Sequence, residues 1–521
     1  MNRPIRKVAV ALGVLLAALF VNLNVVQVVQ SDSLRYHDGN RRVILAEYSN
    51  PRGQIVVQGA AVAKSVATKD ELKYLRTYPQ GPIYAPVTGF NSFIYGTSGL
   101  ESAENKVLSG DDPRQFGRQL ADIFTGRQPR GGSIELTLNK AAQEAAYSAM
   151  KDANGNIRRG AVVALDPTTG AILAAVSTPS YDPNKLSSHD STAMQRYYAS
   201  LQPSRDPADP MLNRALDQLY APGSVFKVIV SAAALKAGVK PTDRIPAVNA
   251  YWPLGGSGPC PSNHTGACVE NFNGETCQNG QTAELQFALA KSCNTAFAQL
   301  AVQKLGAQAI ENQAAAFGFD GSQLDVPLAV ANSTVGQPNV IENDDAALAQ
   351  TSFGQRDVRI TPLQGAMISA AIANGGTLMK PYLVQQELGP NLSVLSDTKP
   401  TTMSQALDAK YVPDLQGMME GVITAPEGTG HSAAITDIPG VTVGGKTGTA
   451  DTGIIDKKTG QQTAPHAWFT GFALQNGNAK IAVAVIIENG GVSGNETTGG
   501  LAAAPVAKAV MEAYLRSTAG R

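Results

Sequence analysis

The chain is poor in the residues that most often carry hydrolytic and metal chemistry. Only five histidines occur among 521 residues (His37, His189, His264, His431 and His466). None is at metal-ligand spacing from another, so a zinc site or a histidine-based mechanism is not expected. No sign of charge dominates: Lys+Arg and Asp+Glu both number 42, which gives no basic field for nucleic acid. No internal repeat and no low-complexity tract is present. Cysteine is scarce too. All four (Cys260, Cys268, Cys277, Cys293) fall in one short region, which reads as a stapled loop and not as a metal site. Four cysteines allow three pairings. Cys260–Cys268 and Cys277–Cys293 are expected because each closes a short local loop, with free thiols as the alternative.

Long apolar runs are also rare, with one exception at the N-terminus. Arg3, Arg6 and Lys7 precede an unbroken apolar stretch from Val8 to Val21, and no further charge appears until Asp32. That length spans a bilayer, and its positive flank is expected to stay cytoplasmic. A cleaved signal peptide is the alternative. The absence of an A-x-A-type site after the run favours an uncleaved anchor with the rest of the chain outside the cell membrane.

After this anchor (1–30), a first extracytoplasmic region is expected over 31–155. Val43-Ile44-Leu45 and Gly53 to Val57 read as strands about a Pro51 turn, and Asp111 to Gly132 as a connecting segment. Leu136 to Asn139 reads as a strand, with Asn139 capping a helix from Ala141 to Met150. A second domain, 156–521, opens with a hairpin: Ala161–Leu165, a turn at Asp166–Gly170, then Ile172–Val176. Helices are expected from Ser224 to about Ala237, from Ala283 to Lys291, from Gly365 to Asn374 and from Ala502 to Leu515. Strands are expected at Val441–Val443, Ala467–Ala473 and Lys480–Glu488. Strands at both ends with helices between them predict an α+β domain, one antiparallel sheet covered by helices.

The segment Ala221-Pro222-Gly223-Ser224-Val225-Phe226-Lys227 opens a helix that is apolar on all sides and hence buried. A serine and a lysine three residues apart at the mouth of a core helix suit nucleophilic catalysis. The hydroxyl lies at the positive end of a dipole, and a desolvated amine beside it can lose its charge. The bland alternative is a capping serine and a snorkelling lysine. Two further boxes follow in order, Ser292-Cys293-Asn294 and Lys446-Thr447-Gly448-Thr449. Each pattern recurs elsewhere: Ser148-x-x-Lys151, Ser396-x-x-Lys399, Ser493-Gly494-Asn495 and Lys458-Thr459-Gly460. Those copies lie in an exposed helix, a polar stretch, a glycine-rich loop and a charged turn. Lys446 instead ends an apolar strand at Gly444-Gly445, where missing side chains are expected to admit a substrate backbone. Only one ordered set places all three boxes in buried or strand-edge settings.

These boxes are the pattern of penicillin-recognising serine enzymes, and with them the chain resembles the class B penicillin-binding proteins. The resemblance extends to Pro51-Arg52-Gly53, Gly99-Leu100-Glu101, Ala164-Leu165-Asp166-Pro167, Asn213-Arg214-Ala215 and Gly354-Gln355. The short pedestal and the Ser-Cys-Asn-Thr box look most like the actinobacterial PbpA-type group. It implies a β-lactamase-like transpeptidase domain on an elongated pedestal, without cofactor or metal. Too few residues separate the anchor from Ser224 for the glycosyltransferase domain of class A relatives, so polymerisation would fall to a membrane glycan polymerase as partner.

By the same resemblance, Ser224 would attack the D-Ala-D-Ala carbonyl of a peptidoglycan stem peptide, with Lys227 accepting its proton. Ser292 would relay a proton to the leaving group, and Asn294 would hold Lys227 and the peptide amide. Lys446 would supply positive charge, the Thr447 and Thr449 hydroxyls would bind the terminal carboxylate, and Gly448 would belong with them to the substrate-binding strand. The backbone N–H groups of Ser224 and Thr449 would form the oxyanion hole. An amine from a neighbouring strand would resolve the acyl-enzyme, and a β-lactam would mimic the donor. Cys293, in the middle of its box, is expected to point away from Lys227. The competing readings are a D,D-carboxypeptidase or β-lactamase using water as acceptor, and a scaffold or β-lactam receptor with little catalysis.

Overall fold

The computed structural model describes residues 3–30, 48–115, 130–201, 208–261, 267–324, 326–453, 455, 460, 463–492, 494 and 498–519. The expected strand at 43–45, Lys458 and Thr459 of the second K-T-G, and Ser493 and Asn495 of the second S-x-N lie outside these residues.

A helix at Arg3–Asn24 continues as a wider turn over Val25–Val29 and is exposed on every side. Its 27 residues rise about 40 Å, more than the roughly 30 Å of a bilayer's hydrocarbon core.

The C-terminal half is built on a five-stranded antiparallel sheet. Its order is Val441–Ala450, His466–Gln475, Asn478–Ile487, Gly160–Leu165 and Ile172–Thr178. Helices cover both faces, so the two strands of the opening hairpin are buried at every position and read as apolar runs without alternation. One covering helix, Pro362–Ala373, has all its residues buried. It starts three residues before the expected Gly365, because Thr361 caps it by accepting from the Gln364 N–H at 3.0 Å and Pro362 fits its first turn. The helix expected from Ala283 begins at Leu285, since Thr282–Glu284 pairs as a strand with Arg244–Pro246. The C-terminal helix is longer than expected, Gly499–Thr518.

Two expectations about the third box are corrected. The strand does not stop near Lys446 but runs on to Ala450, which places the lysine in mid-strand. The glycines before it do not make room for substrate. A Cβ on Gly444 would lie 2.4 Å from the Phe472 ring, and one on Gly445 would lie 2.4 Å from the Phe469 ring. They let aromatic rings of the neighbouring strand pack across the sheet.

A second sheet has six strands, in the order Val394–Asp397, Val384–Leu388, Ser133–Leu136, Ile55–Val57, Ala60–Ala67 and Tyr74–Thr77. Its first two strands come from the middle of the C-terminal half, so the chain returns to the pedestal. Ser396, of a spare S-x-x-K, belongs to this edge strand. The strand expected at 136–139 is Ser133–Leu136, and Asn139 caps the next helix by accepting from the Ala142 N–H at 3.0 Å. Beside this sheet lies a buried ionic knot. The fully buried Glu101 carboxylate takes Nε–H bonds from Arg52 and Arg76, both 2.6 Å, and accepts from the Tyr78 hydroxyl at 3.1 Å. Burial alone would raise this carboxyl, but Arg76 and Arg52 outweigh it and hold it below the ordinary range. Arg52 and Glu101 belong to the two pedestal motifs, which therefore meet in one structure.

Breaking a buried pair strands a charge, at a cost of about 3–5 kcal/mol. Glu101→Ala is therefore expected to lower unfolding free energy by about that amount in chemical denaturation. The exposed control Lys64→Ala should stay within about 0.5 kcal/mol of the native chain.

Candidate active site

Three short backbone approaches assemble the site. Gly223, with φ +54°, precedes Ser224, and a Cβ there would lie 2.3 Å from the Thr449 carbonyl oxygen. Gly354 crosses from the other side: its carbonyl accepts from the Gly223 N–H at 3.0 Å, and a Cβ on it would come within 2.1 Å of the Gly223 oxygen. Gly448 has the Pro222 carbonyl 2.8 Å from where its Cβ would stand. Any side chain at these points would push the strand away from the serine. The Trp468 indole donates to the Ala221 carbonyl at 3.1 Å and fixes the segment from behind.

Ser224 lies in a 3-10 turn, Gly223–Phe226, that leads into the helix Lys227–Lys236. The helix is buried except at its end, as its all-round apolarity predicts. The serine's backbone N–H is among those for which a helix start provides no intrahelical acceptor. Lys227 is completely buried. Among the described residues its amine does not bond to Ser224; it reaches the Ser292 carbonyl at 2.7 Å, the Asn294 Oδ1 at 2.8 Å and the Ser292 Oγ at 3.3 Å. Lys446, also completely buried, meets the same Ser292 Oγ at 2.8 Å and the Thr447 carbonyl at 2.9 Å.

Ser292 ends the helix Leu285–Lys291 with φ +65°, a left-handed turn that throws its hydroxyl between the two lysines. Cys293 is bonded to Cys277, and Cys260 to Cys268. Glu270 lies on the segment between the two bridges; its carbonyl accepts from the Asn294 amide at 3.1 Å and keeps Oδ1 turned to Lys227.

Two amines sharing one hydroxyl in a dry site cannot both stay charged. Burial, then the charge of Lys446, push the Lys227 amine well below its ordinary value. Burial lowers Lys446 to about 7. A neutral Lys227 donates its two N–H groups to the Ser292 carbonyl and Asn294, and its lone pair stays available to take a proton. Up to about pH 7 Lys446 keeps the shared charge, on the strand side of the cleft.

In front of the two lysines is a cleft of about 470 Å³ lined by Ser224, Ser292, Asn294, Thr447, Gly448 and Thr449 among others. Sequence reasoning missed Thr429, whose hydroxyl is 2.6 Å from that of Thr447 and 3.5 Å from the Ala290 carbonyl. Its only signal was a Gly428-Thr429-Gly430 turn, which becomes meaningful once the loop is folded against the strand. Sequence reasoning also gave no role to Glu488. This buried carboxylate accepts from Tyr220 at 2.8 Å and pairs with Arg214 at 3.0 Å and Arg159 at 2.5 Å, bracing the approach to Ser224.

Two measurements test this arrangement. Between about pH 7 and the ordinary lysine value of 10.5, the unfolded chain holds a proton on Lys446 that the folded chain lacks, so stability rises with pH in that window. Lys446→Met should flatten this slope by about 1 kcal/mol per pH unit, read by urea denaturation at pH 7 and 9. Thr429→Val should slow β-lactam acylation about 2- to 10-fold, the worth of one hydrogen bond, while Thr429→Ser keeps most of the rate.

The chain is similar to proteins of known kind over almost its whole length. A family model of the penicillin binding protein transpeptidase domain matches residues 160–512, and one of the penicillin binding protein A dimerisation domain matches 52–134. The peptidoglycan D,D-transpeptidase PbpA of Mycolicibacterium smegmatis is 45% identical over 99% of both chains, and that of Mycobacterium tuberculosis 44% over 99% of both. The ceftriaxone acyl-enzyme complex of M. tuberculosis penicillin-binding protein A superposes with a TM-score of 0.82 at 44% identity, covering 90% of this chain and 100% of that one. A full-length match of this kind, on a fold whose three boxes converge in one cleft, leaves one conclusion: the chain belongs to the class B penicillin-binding proteins, the serine D,D-transpeptidases of peptidoglycan synthesis.

Proposed function

We propose that the chain forms peptide cross-links in peptidoglycan through an acyl-enzyme on Ser224. The observation that carries this reading is the pair of buried lysines bridged by Ser292 beside the serine turn. Lys227 takes the Ser224 proton as Oγ bonds to the carbonyl carbon of the penultimate D-alanine. The N–H groups of Ser224 and Thr449 hold the oxyanion, a contribution on the order of 3 kcal/mol per donor in comparable sites. The C–N bond then breaks, and Ser292 passes the proton from Lys227 to the departing D-alanine amine. Lys446 with the Thr447 and Thr449 hydroxyls binds the terminal carboxylate, and Asn294 holds Lys227 and the peptide amide. An acceptor amine from a second strand reverses these steps, forming the new C–N bond and returning a proton to Ser224. A β-lactam enters as the donor and its ring-opened acyl group stays.

The labour divides along the chain. Residues 1–30 anchor it in the cell membrane, with Arg3, Arg6 and Lys7 on the cytoplasmic side. The pedestal, 31–155, lifts the catalytic domain, 156–521, toward the wall outside the cell. A membrane glycan polymerase supplies the strands.

Incubation of the chain with a fluorescent penicillin, followed by peptide mapping, tests the reading. Label is expected on Ser224 and absent in Ser224→Ala. Lys227→Met should slow acylation about 10²- to 10⁴-fold, the worth of a general base. No label on folded native chain would sink the reading as an active enzyme. Label lost rapidly to water would favour a hydrolase.

A further inference from the structure

A second cavity, of about 390 Å³, lies where the pedestal meets the hairpin of Val384–Leu388 and Val394–Asp397. It shares no lining residue with the Ser224 cleft. The two-stranded ribbon that supplies most of its lining also sets its length. At one end the Lys380 N–H donates to the Thr401 carbonyl at 2.8 Å, and at the other Glu387 stands opposite Ser396. Extended chain rises about 3.3 Å per residue, so the backbones of Lys380 and Glu387 lie roughly 20 Å apart.

Charge is sorted along that length. Lys380 and Lys399 line the cavity toward the first end, Glu387 and the pedestal's Glu104 line the other, and Tyr382 lies between them. Glu387 pairs with Arg114 at 2.5 Å, and Lys399 contacts Asp397. Glu104 differs. It is half-buried, and among the described residues no hydrogen bond or ion pair engages its carboxylate. Burial, then the charge of Glu387, raises this carboxyl to about 7, against the pull of Arg114 and with a further push from Asp112. A carboxylate so placed gains most from a ligand that brings its own cation.

A cavity of this size holds one small ligand. The ligand that fits is extended, cationic toward Glu104 and anionic toward Lys380 and Lys399, whose long side chains shorten the span. An uncross-linked stem peptide has both groups, a side-chain amine and a free terminal carboxylate, and cross-linking consumes the amine. We propose that this groove binds uncross-linked stem peptides apart from the reacting cleft, with the amine at Glu104 and the terminal carboxylate at the Lys380–Lys399 end. The choice of ligand rests on the chain's place among the peptidoglycan D,D-transpeptidases; the site does not depend on the steps proposed at Ser224.

The test is calorimetric titration of the full chain in detergent, treated with benzylpenicillin so that the Ser224 cleft is filled. The probe is N-acetylated Ala-γ-D-Glu-Lys-D-Ala, beside the same peptide with Nε-acetyl-lysine. Saturable binding is expected, about five- to tenfold weaker for the acetyl-lysine peptide, between the worth of an exposed ion pair and that of a charged hydrogen bond. Glu104 takes its charge near pH 7, so affinity for the free amine should rise from pH 6 to pH 8. Neither the lysine nor the carboxylates of the probe titrate in that window. Glu104→Gln should remove both the preference and the pH slope. Lys399→Ala should weaken the probe but not its C-terminal amide. A native chain that takes up no peptide would overturn the inference. So would a preference for the amine that survives Glu104→Gln, or an equal loss of both peptides in that variant, because Glu104 would then only shape the groove.

Discussion

Charge exclusion between Lys227 and Lys446 is the constraint on which the site depends. Each amine is removed from water, and each reaches the Ser292 hydroxyl, at 3.3 Å and 2.8 Å. Water would let both carry a proton; burial permits one. On the proposed mechanism the fold therefore suits two chemically identical side chains to opposite tasks, one amine as the base and the other as the cation up to about neutral pH. A histidine is not required, which agrees with how few the chain contains. The same burial ties stability to function, since desolvating an amine opposes folding and has to be offset by the apolar core around it.

That core is arranged to hold backbone against backbone. Gly223, Gly354 and Gly448 come from three separate segments, and at each the space for a Cβ is filled by a carbonyl oxygen. Trp468, Tyr220 and the Glu488 knot press on the same segment from behind. Ser224 is thus supported by main chain in front and by ring and ion pair at the rear. Position is fixed here by steric exclusion as much as by attraction.

The residues of the candidate site were legible in the sequence before the architecture. Spacing revealed Ser224-x-x-Lys227, and apolarity on all sides marked the helix as buried. Order along the chain then separated the three boxes that meet in one cleft from their copies. Contacts between distant segments left no such trace. Gly444 and Gly445 look like a gap for substrate until Phe472 and Phe469 are seen to fill it. Thr429 lies 18 residues from its partner Thr447, with no periodicity linking them. The hairpin at 384–397 reads as a local feature of the catalytic half, because nothing in a strand's own residues names the strand it will pair with.

That hairpin changes what counts as a unit of this protein. Val384–Leu388 pairs with Ser133–Leu136, so the catalytic half supplies two strands to a sheet whose other four lie near the N-terminus. A fragment beginning at the first residue of the catalytic domain would carry a row of unmatched amides and carbonyls along one strand, an invitation to aggregate. The two regions are stitched by three crossings of the chain, so tilting the base would load the hairpin and the Pro362–Ala373 helix just before it. In mechanical terms the pedestal is a lever welded to the enzyme, not a stalk on which it swings.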